Sequence, residues 1–338
     1  MVIRLLFLTL LICLSGPGIA QHELMVDGKI RHFSRAQFDS LRLVWTTQAE
    51  EQLKVNAKAR LKEAETMNRD VESLNLSDLG LEKLPDFVKE FYNLKRLELR
   101  GNALKRIPKK VLKQVEYLDL SNNPLLTGRF KFKKNNSIKL LDYDKNQLTQ
   151  LPRSIKKLKV LQEISLKENH LSTLPKQVAK IKSLRNVDLS LNPVNPKLNL
   201  NARSKYINTI VLNKCELKSF PLFLLEMTQL ENIQLNRNKI TTLPENIDVL
   251  VNLRRTTAYI NEIEVIPPAF YKLKNLEIAD LYFNKIKVVD PDINQMRKLN
   301  ILYLSNNELY SLPEEIGDLP NLEMLFLHHN KLSFYQVH

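Results

Sequence analysis

The sequence predicts an α/β solenoid of stacked strand-turn-return units, preceded by a helical segment. Three observations carry this. One residue pattern returns every 23 positions from Val71 to the end of the chain. Within each unit, polar and apolar residues alternate over the length of a strand before a turn signal. Ahead of the array, apolar residues recur at three- and four-residue spacing. A fixed period of this length marks stacked repeats rather than a globule, and stacked repeats present long binding surfaces.

The first twenty residues read as an export signal. Arg4 is their one charged side chain, Leu5 to Leu14 is apolar but for Thr9, and Pro17 precedes Gly18-Ile19-Ala20, small enough for a signal peptidase. The apolar run is too short to span a bilayer. An uncleaved anchor is the alternative. Ile12 before Cys13 fits a lipoprotein box poorly. Cleavage after Ala20 leaves Cys215 as the one cysteine, so no intramolecular disulfide can form. Export without disulfides points to a secreted protein or a bacterial cell envelope or periplasm.

Residues 21–70 read as a helical segment. Ser34 and Gln37 form a capping box, and Phe38, Leu41, Trp45, Ala49, Leu53, Ala57, Leu61 and Ala64 make one apolar stripe. Such a helix either caps the first repeat or binds a partner, and the cap is the preferred reading because solenoid ends need covering.

Twelve units follow over residues 71–338, led by Val71, Leu94, Val115, Ile138, Leu161, Leu184, Ile207, Leu230, Leu253, Leu276, Leu299 and Leu322. The step from Leu94 to Val115 is 21 residues; the others are 23. The unit from Leu161 shows the pattern plainly: Leu161, Ile164 and Leu166, then Asn169, Leu171, Leu174-Pro175, Val178 and Ile181. The amide of Asn169 can satisfy backbone groups that the turn leaves unpaired. Pro175 stops the strand from continuing. The Asn column runs through Asn102, Asn123, Asn146, Asn169, Asn192, Asn238, Asn261, Asn284, Asn307 and Asn330, with Cys215 in the seventh unit and Leu79 in the first. The pattern resembles the leucine-rich repeat family in its 23-residue form, as in bacterial and Ras-group-related repeat proteins. The resemblance implies a right-handed horseshoe whose parallel sheet lines the concave face, where partners usually dock. It also implies that Cys215 is a buried structural thiol.

Three of the complete units lack the proline of the Leu-Pro step. Asn123-Pro124 and Asn192-Pro193 open irregular stretches, and the tenth unit carries Asp290-Pro291. Phe130 and Phe132 are expected to fill the core where leucines are missing. The twelfth unit stops before its return segment.

The strand positions of the last four units are unusually aromatic. Tyr259, Tyr282, Tyr303 and Phe326 are expected to project from the sheet, with His328 beside them, Ile260 and Phe283 one position further on, and Ile278, Ile301 and Met324 at the strand starts. Such a cluster is either a partner-binding patch or packing within the sheet face. The first six units instead place Glu98, Asp119, Asp142, Glu163 and Asp188 there. Paired carboxylates invite a glycosidase reading. We set it aside because these acids repeat in register, as solvated strand residues would.

The net charge of +14 is concentrated on the returns of units two to five, including Lys109, Lys110, Lys113, Arg153, Lys156 and Lys157. This basic convex stripe either keeps the protein soluble or rests on an anionic envelope, glycan or lipid; export argues against nucleic acid. Phosphate loops, kinase motifs and nucleophile elbows are absent, so no enzyme is expected. No cofactor is implied. His328, His329 and His338 lack the further ligands of a metal site. The expected function is therefore an exported binding protein for a protein or peptide partner. The alternatives are an adhesive envelope component, or an intracellular signalling scaffold should the leader not be a signal.

Overall fold

The computed structural model describes residues 21–26, 29–124, 131–132, 137–195 and 204–333. The signal reading of residues 1–20, Phe130 and His338 lie outside them. The chain divides into two compact units, Met1–Glu63 and Ala64–His338. The sequence placed that boundary at Val71.

The first unit opens with a hairpin that the helical reading of 21–70 missed. Strand β1 (Gln21–Val26) pairs antiparallel with β2 (Lys29–Ser34), Val26 opposite Lys29. In the sequence an Asp-Gly dipeptide separates the two strands, a residue pair favoured in two-residue hairpin connections. Helix α1 (Arg35–Thr66) follows at once and is 32 residues long, about 48 Å. Among the described side chains of its apolar stripe, burial rises from Ala49, which is exposed, towards Ala64. Leu53 is exposed, Ala57 and Leu61 are half-buried, and Ala64 is buried.

The second unit holds one sheet of twelve parallel strands among the described residues, in strict sequence order. They are β3 (Ser73–Asn75), β4 (Arg96–Glu98), β5 (Tyr117–Asp119), β6 (Leu140–Asp142), β7 (Glu163–Ser165), β8 (Asn186–Asp188), β9 (Thr209–Val211), β10 (Asn232–Gln234), β11 (Arg255–Thr257), β12 (Ile278–Asp280), β13 (Ile301–Tyr303) and β14 (Met324–Phe326). Each is short because only its middle residue points inward. Ile164 faces Leu141 and Val187 across the ladder and is fully buried. Most returns form short 3-10 turns after a proline, such as Arg153–Lys157 behind Pro152; Pro268–Tyr271 closes into one α-turn. The unit from Leu161 packs as its pattern predicts, with Leu161, Leu166, Leu171, Leu174, Val178 and Ile181 all buried.

The asparagine column is a buried polar spine. Asn169 Nδ2 donates to the carbonyls of Tyr143, Leu166 and Lys167, each at 3.0 Å. Its Oδ1 accepts from the N–H groups of Asn146 and Leu148 at 3.0 and 2.9 Å. Each spine residue thereby ties its own turn to the preceding repeat, which satisfies backbone groups that no sheet ladder reaches. Cys215 keeps part of this role, its thiol donating to the Leu189 carbonyl at 3.4 Å. Burial pushes the thiol up to about 11, so it is protonated at neutral pH, in keeping with a structural thiol.

Two columns of alternating charge run outside the core. In the first, Glu72, Lys95, Glu116 and Lys139 stand on successive repeats, with ion pairs Lys95–Glu72 and Lys139–Glu116. In the second, Glu216, Lys239, Glu262, Lys285, Glu308 and Lys331 do the same from the seventh repeat to the twelfth. Its pairs are Glu216–Lys239 at 4.0 Å, Glu262–Lys285 at 2.7 Å and Glu308–Lys331 at 2.8 Å. The sequence reading missed both columns.

Candidate functional site

The sheet face presents two outward columns from the strands and a third two residues beyond them. In the C-terminal repeats the strand columns read Arg255, Ile278, Ile301, Met324 and Thr257, Asp280, Tyr303, Phe326. The third reads Tyr259, Tyr282, Ser305, His328. This corrects the expectation that the four aromatics occupy strand positions: Tyr303 and Phe326 do, but Tyr259 and Tyr282 lie past the ends of β11 and β12. The strands stop early because side chains there bind the backbone. Asp280 Oδ1 accepts from the Tyr282 N–H at 3.2 Å, and Asn236 Oδ1 accepts from the Tyr259 N–H at 3.2 Å.

The aromatics nonetheless form neighbouring groups. Tyr303 and Phe326 stack with centroids 4.6 Å apart and planes within 6°. Tyr282 tilts against Phe283 at 5.9 Å. Ser305 Oγ lies 2.8 Å from His328 Nδ1, and the His328 and His329 rings meet edge to face at 5.2 Å. Phe283 is 51% exposed and Met324 40%, while Tyr259, Tyr282, Tyr303 and Phe326 are half-buried. Each ring keeps an accessible part, and the apolar strand-start residues Ile278 and Ile301 flank the stack.

Ile260, Phe283 and His329 share a further property. They occupy the position before the spine asparagine, where φ is +54°, +56° and +56°. The equivalent position is left-handed in every other repeat too, as at Gly101, Asn122, Lys145, Glu168, Leu191 and Arg237. A left-handed conformation costs an L-residue roughly 1–2 kcal/mol, and a β-branched one such as Ile260 is especially unusual there. Because the conformation recurs in all twelve repeats whatever the residue, it belongs to the turn of the fold.

The acidic half of the face is less solvated than the sequence suggested. Asp119 is buried, and Asp142 and Asp144 are half-buried. They bind backbone: Asp119 Oδ1 accepts from the Ser121 N–H at 2.8 Å and its hydroxyl at 2.6 Å. Asp142 Oδ1 accepts from the Asp144 N–H at 3.1 Å, and Asp144 Oδ1 accepts from the Lys167 N–H at 2.6 Å. Lys167 pairs with Asp188 at 3.3 Å, and the Arg96 guanidinium lies 3.9 Å over the Tyr117 ring. These acids act as turn-formers, which the alternation of polar and apolar residues did not reveal.

Burial, then the charge of Asp144, pushes the Asp142 carboxyl up to about 6. The folded chain therefore holds this proton through a range where the unfolded chain, with an ordinary aspartate near 3.9, has lost it. Stability from this group is present below about pH 4 and is lost as pH rises towards 6. Asp142→Asn keeps the acceptor without the charge. It is expected to be more stable than the parent by about 1 kcal/mol above pH 6, after allowance for solvent screening. The two proteins should converge below pH 4 in thermal melts across that range; a gain that persists in acid contradicts the assignment.

On the opposite face, Lys109, Lys110, Lys113, Arg153, Lys156 and Lys157 are all exposed, on or beside the 3-10 turns Val111–Lys113 and Arg153–Lys157. The described residues hold no group of His, Cys, Asp and Glu arranged to bind a metal ion. No described helix is long and apolar enough to cross a membrane.

Residues 274–332 match the leucine rich repeat family. No curated protein matches the chain. Among solved structures, a chain of the Toll–Spatzle complex of Drosophila is 25% identical with a TM-score of 0.63, over 76% of this chain and 36% of that one. InlJ from Listeria monocytogenes is 19% identical with a TM-score of 0.56, over 79% and 55%. A leucine-rich repeat protein of Leptospira interrogans is 27% identical over 81% and 94%, with a TM-score of 0.37. This chain thus spans about a third of the Toll-complex chain's length and nearly all of the Leptospira protein's.

Proposed function

Because this chain is a leucine-rich repeat protein, we propose that it is a binding protein whose sheet face, over repeats nine to twelve, captures a protein or peptide partner. The observation that carries this reading is the run of partly exposed aromatics on one face, with Tyr303 stacked on Phe326 and Phe283 more than half exposed beside Tyr282. Rigid aromatic groups bury much area at little entropic cost and supply most interface hot spots. The similar chain from a Toll–Spatzle complex supports a protein ligand. The proposed role is binding rather than catalysis. We further propose that the protein is exported, to the cell envelope or beyond, with residues 1–20 as its signal; a mature chain starting at Gln21, read by N-terminal sequencing, is the expected form.

The test is affinity capture with the mature protein, then repetition with Tyr282→Ala combined with Tyr303→Ala. Capture of the principal partner is expected to fall about tenfold or more, with the thermal midpoint little changed. Tyr310→Ala, at an exposed aromatic outside the patch, should leave capture intact. Equal capture by the double variant and the parent would remove this face as the site.

A further inference from the structure

We infer that Asp280 sets the specificity of the aromatic face by seating a lysine or arginine side chain of a partner peptide among the tyrosines. This rests on the reading that the face of repeats nine to twelve captures a protein or peptide. Over repeats seven to twelve the three outward columns hold one carboxylate, Asp280, and one strong base, Arg255. Acids in the first six repeats are paired by the face itself. Lys167 meets Asp188, Arg96 meets Glu98, and the Ser165 hydroxyl donates to Asp144. Asp280 has no such side-chain partner among the described residues, and its one hydrogen bond comes from the Tyr282 N–H at 3.2 Å. Burial pushes its carboxyl above the ordinary aspartate range, against the opposing pull of that N–H and of Arg255. A carboxylate that has lost water and gained no ion pair is raised in free energy, and an incoming cation lowers it again.

The residues around Asp280 fit a basic side chain. Tyr282 follows two positions on, Tyr303 is its ladder neighbour on β13, and Tyr259 stands on the repeat before. Tyrosine rings attract ammonium and guanidinium groups, most strongly where water is excluded. On the other side its ladder neighbour is Thr257, 4% exposed, whose hydroxyl oxygen bonds nothing in the fold. Buried hydroxyls are as a rule satisfied, so one left unpaired beside an under-paired carboxylate marks a place for a donor. Lysine and arginine bring several N–H donors on a methylene stem, and Ile278 and Ile301 at the strand starts give that stem apolar cover. A neutral side chain leaves Asp280 unpaired and an acidic one is repelled, so the position discriminates against both.

A phage-displayed random peptide library, selected on the full-length mature protein, is the probe. The net charge of +14 attracts acidic peptides non-specifically, so a preference for basic ones has to come from a local site. Recovered peptides are expected to be enriched in Lys or Arg next to aromatic or aliphatic residues. Selection on Asp280→Asn should lose the basic enrichment and keep the apolar one. An enriched peptide, measured by calorimetry, should bind Asp280→Asn about tenfold or more weaker than the parent. Its own Lys→Gln or Arg→Gln analogue should show a similar loss on the parent and little further loss on Asp280→Asn, since both changes remove one contact. Glu245→Gln, the same charge change at an exposed return position, should leave affinity within about twofold. Asparagine keeps the acceptor for the Tyr282 N–H, and thermal melts check the fold; Asp280→Thr, the residue found one repeat earlier, replaces a variant that does not fold. Neutral or acidic peptides on the parent, a basic preference that survives in Asp280→Asn, or equal losses in Asp280→Asn and Glu245→Gln overturn the proposal and leave aromatic capture standing. A parent that selects no peptide, or peptides that bind equally well to Tyr282→Ala with Tyr303→Ala, instead removes the aromatic-face reading and this inference with it.

Discussion

Asn169→Ala is expected to lower stability by about 3–5 kcal/mol, a large loss for one exchange. The side chain is 2% exposed. Its two amide protons are shared among three carbonyls, and its oxygen takes two N–H groups from the preceding repeat. Alanine leaves these groups in an interior without water. The loss reaches two turns at once, so it should spread beyond the fifth repeat. Asn169→Cys is expected to cost less, since Cys215 retains a thiol bond to the Leu189 carbonyl at the equivalent site. Urea unfolding of the two variants ranks them. An alanine variant as stable as the cysteine one contradicts the hydrogen-bond account.

Phe132→Ala should cost about 3–5 kcal/mol, by the cavity it opens. Phe132 is 1% exposed and meets the fully buried Tyr143 edge to face, with centroids 6.4 Å apart and planes at 87°. Tyr143 takes the place that Leu166 holds one repeat later, so the two rings together fill the core where the third repeat lacks its Leu-Pro step. Phe132→Leu keeps most of the volume and should lose less than about 1.5 kcal/mol. Near-equal thermal midpoints for the alanine and leucine variants would count against a packed role.

The leucine and asparagine columns were legible because each such position meets the same neighbours in every repeat, so one chemical demand recurs at one period. Leu161, Ile164 and Asn169 answer that demand in plain residue types. Other features carry no such mark. Ile260 and Phe283 sit at a left-handed position that Asp78, Gly101, Asn122 and Asn306 betray by residue type but Lys145, Glu168, Leu191 and Arg237 do not. Tyr259 and Tyr282 look like strand residues because alternation continues past the last ladder bond, and only the Asn236 and Asp280 side chains show where the strands end. Asp119 reads as solvated by pattern alone, yet its partner Ser121 draws it into a turn. The aromatic cluster is visible as composition; its division into a strand column and a post-strand column follows from where the ladder ends.

The second charge column bears on how such an array can change length. Its ion pairs join repeats seven with eight, nine with ten, and eleven with twelve. Its true period is therefore two repeats, 46 residues, although the backbone repeats every 23. Recombination that excised the unit carrying Glu262 would set Lys239 beside Lys285. Excising two adjacent units would restore alternation. Backbone geometry tolerates either event, so the charges alone tell odd from even. In this half of the molecule, gene-level gain or loss of repeats is expected to proceed by twos.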